Sequence, residues 1–90
     1  MIEVRFTRHL KRFFPALGPL SLRAGSVAEV VHQIDEAFPG LRTYLVTETG
    51  ALRQHVNIFV NGEVIDDRVT LSDPVADGAE VFIMQALSGG

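Results

Sequence analysis

Short apolar-rich stretches recur along the chain, and in most of them apolar and polar residues alternate with the two-residue period of a half-buried strand. The third and fourth stretches are separated by Asn61-Gly62, which is a strong signal for a tight hairpin turn because both residues adopt positive φ at low cost. The sequence therefore predicts strands at Ile2–Phe6, Leu20–Leu22, Val56–Val60, Glu63–Ile65 and Glu80–Met84.

One stretch has the period of a helix instead. Ser26 followed by Glu29 is a capping box, in which each side chain satisfies a free amide at the helix start. Pro39-Gly40 ends the pattern, and residues 40–54 predict only a turn and a loop. The apolar stripe that is expected to face the core consists of Val27, Val30, Val31, Ile34 and Phe38.

The elements follow one another as hairpin, helix, hairpin and final strand. A mixed sheet with one main helix across one face is the economical two-layer arrangement for this order, so the predicted fold class is α+β. Ninety residues with an apolar share of 47% can build one hydrophobic core. We therefore expect a single domain over residues 1–86 and a flexible C-terminal tail over residues 87–90.

Charge and composition exclude several classes of function. Residues 1–45 carry six Lys/Arg against four Asp/Glu, a net charge of +2, and residues 46–90 carry two against seven, a net charge of −5. The acidic second half argues against general nucleic-acid binding and suits either docking onto a basic protein surface or a simple solvated face. The absence of cysteine excludes disulfides, a thiolate nucleophile, cysteine-ligated zinc and iron–sulfur clusters.

Two further features bear on location. No apolar run approaches the length of a membrane span, so no membrane association is expected. Met1–Arg5 lacks the basic start and the apolar stretch of a signal peptide. We therefore expect a cytoplasmic protein.

Polar residues that could carry catalysis or hold a metal show no supporting pattern. The three histidines lack the paired spacing of a metal site, and His32 lies off the apolar helix stripe. Asp66 and Asp67 follow a hairpin turn and are interpreted as a solvated turn rather than an acid/base pair. Ser88 has no base placed to activate it. We therefore predict no catalytic residue, no metal site and no enzyme activity.

A short basic segment lies next to two aromatic residues. Arg8, Lys11 and Arg12 precede Phe13 and Phe14, and cations beside aromatic rings are typical of single-stranded nucleic-acid binding. In isolation this pattern more often means a solvated strand end, so no nucleic-acid partner is expected.

Two predicted strands carry apolar residues on both faces, although one helix can cover only one face. On the last strand Val81 and Ile83 alternate with Phe82 and Met84, and on the third strand Phe59 alternates away from its apolar neighbours. Either a second layer covers the outer set or these side chains form an exposed patch, which usually marks a partner site. Alternation separates the two sets but does not decide which of them faces the helix.

Three segments together carry a family resemblance: Val56–Glu63 with its Val-Asn-Gly-Glu turn, Asp77–Val81, and the terminal Gly89-Gly90. Over essentially its whole length the chain resembles the ThiS/MoaD family of ubiquitin-like (β-grasp) sulfur carriers. It looks closest to the carriers that feed cysteine synthase. It departs from the family in its Asp-Gly-Ala-Glu turn, usually Asp-Gly-Asp-Glu, and in lacking the prolines common before a molybdopterin-type tail.

The resemblance implies a β-grasp fold and a role as a protein-bound sulfur donor. It also places Val81 and Ile83 inward, beneath the helix, so the predicted docking patch on the open face consists of Phe59, Phe82 and Met84. In such carriers a ubiquitin-activating-enzyme-like adenylyltransferase uses ATP to adenylate the terminal carboxylate, here that of Gly90, and sulfur then displaces AMP to leave a covalent thiocarboxylate. The tail residues Leu87, Ser88 and Gly89 would thread this carboxylate into the activating enzyme and later into a sulfur-accepting synthase. Glycine suits this task because it lacks Cβ. No cofactor is expected to bind the chain itself, which would be a monomer when free.

Two other functions use the same features. A ubiquitin-like modifier would be joined to lysines through Gly90, and a β-grasp interaction module would carry an inert tail. The sequence also does not name the acceptor of the sulfur, which could be cysteine, molybdopterin, thiamine or another thiolated metabolite.

Overall fold

The computed structural model describes residues 1–85, so the predicted tail and the last residue of the predicted domain, Ala86, lie outside the described residues. Within the described part, all five predicted strands are present, with ends that differ from the prediction by at most one residue. A 3₁₀ helix over Arg8–Arg12 follows the first strand. The remaining elements are β1 (Ile2–Phe6), β2 (Leu20–Leu22), α1 (Val27–Ala37), α2 (Leu41–Leu45), β3 (Val56–Val60), β4 (Glu63–Val64) and β5 (Glu80–Gln85).

The strands form one mixed sheet in the order β2-β1-β5-β3-β4. β5 lies in the centre, parallel to β1 and antiparallel to β3, and the two hairpins β1–β2 and β3–β4 are antiparallel. Because β1 and β5 run in the same direction, they end at the same edge of the sheet, where β3 begins. We call this edge, marked by Thr7, Val56 and Gln85, the tail edge.

The hairpin between β3 and β4 turns at Asn61 and Gly62, as predicted. Both residues have positive φ, 51° and 84°, which matches the right-handed twist of the flanking strands. A turn of two residues fixes the register of the hairpin, in which Val60 faces Glu63 and Phe59 faces Val64. The register in turn decides which side chains share the outer face of the sheet.

The predicted helix is confirmed as α1, and its start has the predicted cap. Ser26 Oγ accepts a hydrogen bond from the Glu29 amide at 3.2 Å. The Glu29 carboxylate reaches back to the Gly25 amide at 2.9 Å, one residue earlier than in the standard capping box. The helix ends at Ala37, one residue before the predicted Phe38, which serves as its C-cap.

The prediction of a turn and a loop over residues 40–54 is wrong in one part, because Leu41–Leu45 form the short helix α2. Asp35 Oδ1 accepts hydrogen bonds from the amides of Gly40 at 3.1 Å and Arg42 at 3.0 Å, which satisfies free donors at the start of this short helix. Leu41 and Leu45 lie four residues apart and are both fully buried, so one turn of helix directs both side chains into the core.

The hydrophobic core lies between α1 and one face of the sheet. Strand alternation and helix periodicity supply its centre, whose members are each at most 1% exposed. These residues are Val4, Val27, Val30, Ile34, Ile58, Val81 and Ile83. The opposite face of the sheet is the open face considered below.

Candidate functional site

β5 carries the chain to the tail edge, where the described residues end. The Gln85 amide donates to Thr7 Oγ1 at 3.2 Å, and the Thr7 amide donates to the Ile83 carbonyl at 3.1 Å. On the other side Gln85 pairs with Val56, and its side-chain amide lies 3.4 Å from His55 Nε2. The chain is therefore held between β1 and β3 up to its last described residue. The predicted tail and sulfur-carrying residues lie outside the described residues: Leu87, Ser88, Gly89 and Gly90.

The two aromatic residues of the predicted docking patch meet on the open face. Phe59 and Phe82 are register partners on β3 and β5, with ring centroids 6.4 Å apart and ring planes inclined by 39°. Phe82 is 37% exposed, whereas Val81 and Ile83 on the same strand are 1% and 0% exposed. The predicted face assignment is therefore confirmed, and the docking role of the patch stays a prediction.

Met84 is half-buried on the same face and completes the predicted patch. Together with Arg5 and Gly62, the three patch residues border an open depression of about 460 Å³. Depressions with apolar walls and a charged rim are the usual form of a partner or ligand site. The patch lies within the strand that leads to the tail edge, so a partner bound there would also be close to that edge.

The sequence interpretation missed one member of the patch, Val64. This side chain is 51% exposed and faces Phe59 across the β3–β4 hairpin. The signal was present in the sequence, because a two-residue turn at Asn61-Gly62 makes Phe59 and Val64 cross-strand neighbours. We call Phe59, Val64, Phe82 and Met84 together the apolar patch.

Charged residues flank the apolar patch on β1 and β5. Arg5 is the register partner of Phe82 and is exposed beside it. One row further from the tail edge, Glu3 faces Glu80, and both are exposed. The open face is therefore cationic on the side of the tail edge and anionic on the opposite side.

The basic segment folds as the 3₁₀ helix that follows β1. Arg8 and Lys11 line a depression of about 220 Å³ together with Phe82. Phe13 and Phe14 instead contact Tyr44 of α2. The Phe13 ring stacks on Tyr44 with centroids 4.8 Å apart, and the Phe14 ring meets it edge-on at 5.4 Å. Both rings thus pack against Tyr44, and Phe13 stays 53% exposed.

The acidic loop after β4 uses its carboxylates to fix its own backbone. Asp67 accepts hydrogen bonds from Ser72 Oγ at 2.5 Å and from the hydroxyl and amide of Thr70, the latter at 2.9 Å. The bonds from Ser72, followed by those from Thr70, hold the pKa of Asp67 well below its usual value. Asp73 accepts from the amides of Asp66 and Asp67 at 2.9 and 2.8 Å. The sequence predicts a solvated turn here, but Asp67 is half-buried, and these contacts give it a structural role.

Within residues 1–85, and leaving out the side chain of His9, no cluster of three or more His, Cys, Asp or Glu side chains is placed to hold a metal ion. His32 is exposed and pairs with Glu36 one helical turn away at 2.8 Å. No helix within this part of the chain is long and apolar enough to cross a membrane.

Comparison with known proteins identifies the family. The sequence model of the ThiS family matches residues 19–90, which is most of the chain and includes its C-terminal Gly89-Gly90. The chain therefore belongs to the ThiS family. No curated protein is significantly similar to it in sequence.

Several solved structures share this fold. A chain of the Amycolatopsis orientalis BexX/CysO complex matches with a TM-score of 0.85 at 22% identity, covering 100% of both chains. Mycobacterium tuberculosis CysO matches with a TM-score of 0.82 at 24% identity, covering 97% of this chain and 100% of its own. Small archaeal modifier protein 1 from Methanosarcina acetivorans matches with a TM-score of 0.73 at 21% identity, covering 99% and 95%. The predicted β-grasp fold of the ThiS-like sulfur carriers is thereby confirmed.

Proposed function

We propose that the chain is a protein-bound sulfur donor that reacts through the carboxylate of Gly90. The observation that supports this proposal is the ThiS-family match, which extends through Gly89-Gly90. The arrangement of β5 is consistent with it, because this central strand leads to the tail edge beside an exposed apolar patch. The chain would be a co-substrate of two enzymes and would have no catalytic centre of its own.

The chemistry requires activation because a carboxylate is a poor acylating group. A carboxylate oxygen of Gly90 attacks the α-phosphate of ATP, pyrophosphate leaves, and an acyl-adenylate forms. Sulfide then attacks the acyl carbon, a C–S bond replaces the C–O bond to AMP, AMP leaves, and a thiocarboxylate remains. If a persulfide of the partner attacks instead, an acyl disulfide forms first, and a second thiol must reduce its S–S bond to release the thiocarboxylate. The partner binds the ATP and supplies the sulfur, while this chain supplies the acyl group and the docking surface.

The apolar patch is the proposed docking surface for the adenylyltransferase. Aromatic residues at the centre of an interface often contribute about 2 kcal/mol or more each to binding. Phe59 and Phe82 lie together and partly exposed, so they can be buried by a partner without unfolding the chain. A structural relative occurs in a complex named BexX/CysO, which supports a protein partner in general terms.

The sulfur acceptor is proposed from resemblance alone. The sequence looks closest to the cysteine-synthase type of carrier, so a synthase in cysteine biosynthesis is the first acceptor to test. Because adenylation consumes ATP, we propose that the chain acts in the cytoplasm. We also propose that it is a monomer when free.

A second candidate is a ubiquitin-like modifier, which would use the same Gly90 to acylate lysine side chains. The observation that favours this candidate is the similarity in fold to small archaeal modifier protein 1. One experiment separates the possibilities: the chain is incubated with an adenylyltransferase from the same genome, ATP and sulfide, and its intact mass is measured. Replacement of one oxygen by sulfur supports the carrier, adducts with other proteins support the modifier, and an unchanged mass contradicts both.

A further inference from the structure

On the open face, the charged residues of β1 and β5 are arranged by edge of the sheet rather than by half of the sequence. Near the tail edge, the exposed side chains of Arg8 and Lys11 follow β1. At the opposite edge, acidic residues occupy or flank the turns that precede β4 and β5, and these are Glu63, Asp77 and Glu80. This edge also carries Arg23 and the N-terminal ammonium, which pairs with Asp77. The expectation of a basic partner surface rests on the net charge of the second half of the sequence. The charged residues on the open face next to the tail edge are instead cationic.

Three cations are continuous with the apolar patch. Arg5 and Phe82 border both depressions of the open face, the one that contains Phe59 and the one that contains Arg8 and Lys11. We call Arg5, Arg8 and Lys11 the cationic rim. All three are exposed, and within residues 1–85 none of them lies within ion-pairing distance of a carboxylate. The rim is thus available to an outside anionic group without breaking an ion pair in this part of the chain.

We propose that the cationic rim docks on an acidic protein surface whose carboxylates flank the apolar side chains that contact Phe82. Opposite charges at the rim of an interface raise the association rate and fix the relative orientation of the partners. In the reverse orientation, Glu3 and Glu80 would face the partner's carboxylates, and like charges would repel. The positive and negative charges on the open face therefore orient the chain with its tail edge towards the acidic part of the partner.

A polyanion such as a nucleic acid fits this face less well. A strand of phosphates crossing the sheet would meet Glu3 and Glu80 within one row of Arg5, and the chain has a net charge of −3. A second copy of the chain is the other possible occupant, because its own acidic edge complements the rim. Both are outcomes of the tests described next.

The first test uses charge reversal and rests on the proposed function for its partner, the adenylyltransferase. Arg8→Glu/Lys11→Glu should slow association with this enzyme on the order of tenfold at low salt, and the difference should shrink in about 1 M salt. The matched control Arg23→Glu/Arg42→Glu reverses two exposed cations away from the patch, and its association rate should stay within about twofold of wild type. Equal rates for the two double variants, with the wild type still converted to a thiocarboxylate, would overturn the inference and leave the proposed function intact.

The second test does not depend on the proposed function. The full chain is titrated by NMR with the peptide Glu-Asp-Leu-Phe-Asp-Glu and with its counterpart Lys-Lys-Leu-Phe-Lys-Lys. Amide shifts at Lys11 and Phe82 with the acidic peptide alone support the inference, even if no adenylyltransferase accepts the wild type. Equal shifts with both peptides, stronger shifts with a single-stranded oligonucleotide, or concentration-dependent self-association through these residues would each overturn it.

Discussion

At the scale of single residues, Asp67 shows how a polar side chain can define a loop. Its carboxylate accepts hydrogen bonds from the amides of Val69 at 3.0 Å and Ser72 at 3.2 Å, in addition to the hydroxyl contacts described above. These contacts enclose Leu71, which is buried although its φ of 56° is unusual for a residue with a side chain. The carboxylate therefore stabilises a strained turn that directs a leucine into the core.

Asp67→Asn is expected to lower the melting temperature at neutral pH, because the amide replaces an anionic acceptor of several hydrogen bonds. The folded state holds the pKa of Asp67 below its usual value of 3.8, so the ionised carboxylate stabilises the fold fully above that pH. This stabilisation is lost as the pH falls through the lowered pKa. Thermal melts of both proteins should therefore converge as the pH is lowered from 4. Asp66→Asn, which changes the neighbouring exposed carboxylate, serves as the control. A constant difference in melting temperature between wild type and Asp67→Asn at all pH values would contradict the stabilising role of the ionised Asp67 carboxylate.

At the scale of elements, the strands and α1 were predictable because each has a period that burial enforces. One face of β5 packs under α1 and the other is open, so alternation separated Val81 and Ile83 from Phe82, and the family resemblance assigned the first pair inward. The short helix α2 was not predicted, because five residues give too little periodicity. Its start depends on Asp35, a residue of the preceding helix whose carboxylate reaches its amides. Such a contact becomes visible only when the turn between the two helices is known.

Two substitutions on β5 separate docking from stability. Ile83→Ser removes a fully buried side chain and should lower the free energy of unfolding by about 3 kcal/mol or more. Phe82→Ser, one residue away on the open face, should cost less than about 1 kcal/mol of stability but weaken binding of the adenylyltransferase by about 2 kcal/mol. Urea denaturation and a binding isotherm measure the two effects. A large loss of stability with intact docking in Phe82→Ser would mean that the outer face is part of the core.

The contact that starts α2 can be tested with neighbouring acidic residues of α1. Asp35→Ala should lower the free energy of unfolding by about 1 kcal/mol, because two amides at the start of α2 lose their acceptor. Glu36→Ala causes the same change of charge but removes only an exposed pair with His32, which is worth about 0.5 kcal/mol or less. Urea denaturation at neutral pH compares the two, and equal losses would show that Asp35 does not cap α2.

At the scale of the whole molecule, the fold and the proposed chemistry occupy separate parts of the chain. The buried core of the described residues extends from Ile2 to Ile83, whereas the proposed reaction takes place at Gly90. The sequence predicted the fold class and which residues of β5 lie on the open face, and both predictions depend on local pattern and on resemblance. It could not predict the cationic rim, because Arg5, Arg8 and Lys11 meet Phe82 only through the parallel pairing of β1 with β5. That pairing joins strands from opposite ends of the chain.

This separation leads to the last prediction, which concerns Gly89 and Gly90. Deleting Gly90 moves the terminal carboxylate back by one residue and should abolish thiocarboxylate formation, while the melting temperature should stay nearly unchanged because the deletion removes a single terminal residue that has no side chain. Gly89→Val should give the same result through its added Cβ branch, which restricts the dihedral angles and widens a segment that must enter a narrow site. Ser88→Ala is the matched control, since it alters a tail residue with no proposed chemical role and should be converted at the wild-type rate. Intact mass after incubation with adenylyltransferase, ATP and sulfide reports the conversion. Normal conversion of the chain that lacks Gly90 would refute the proposal that the reaction takes place at this carboxylate.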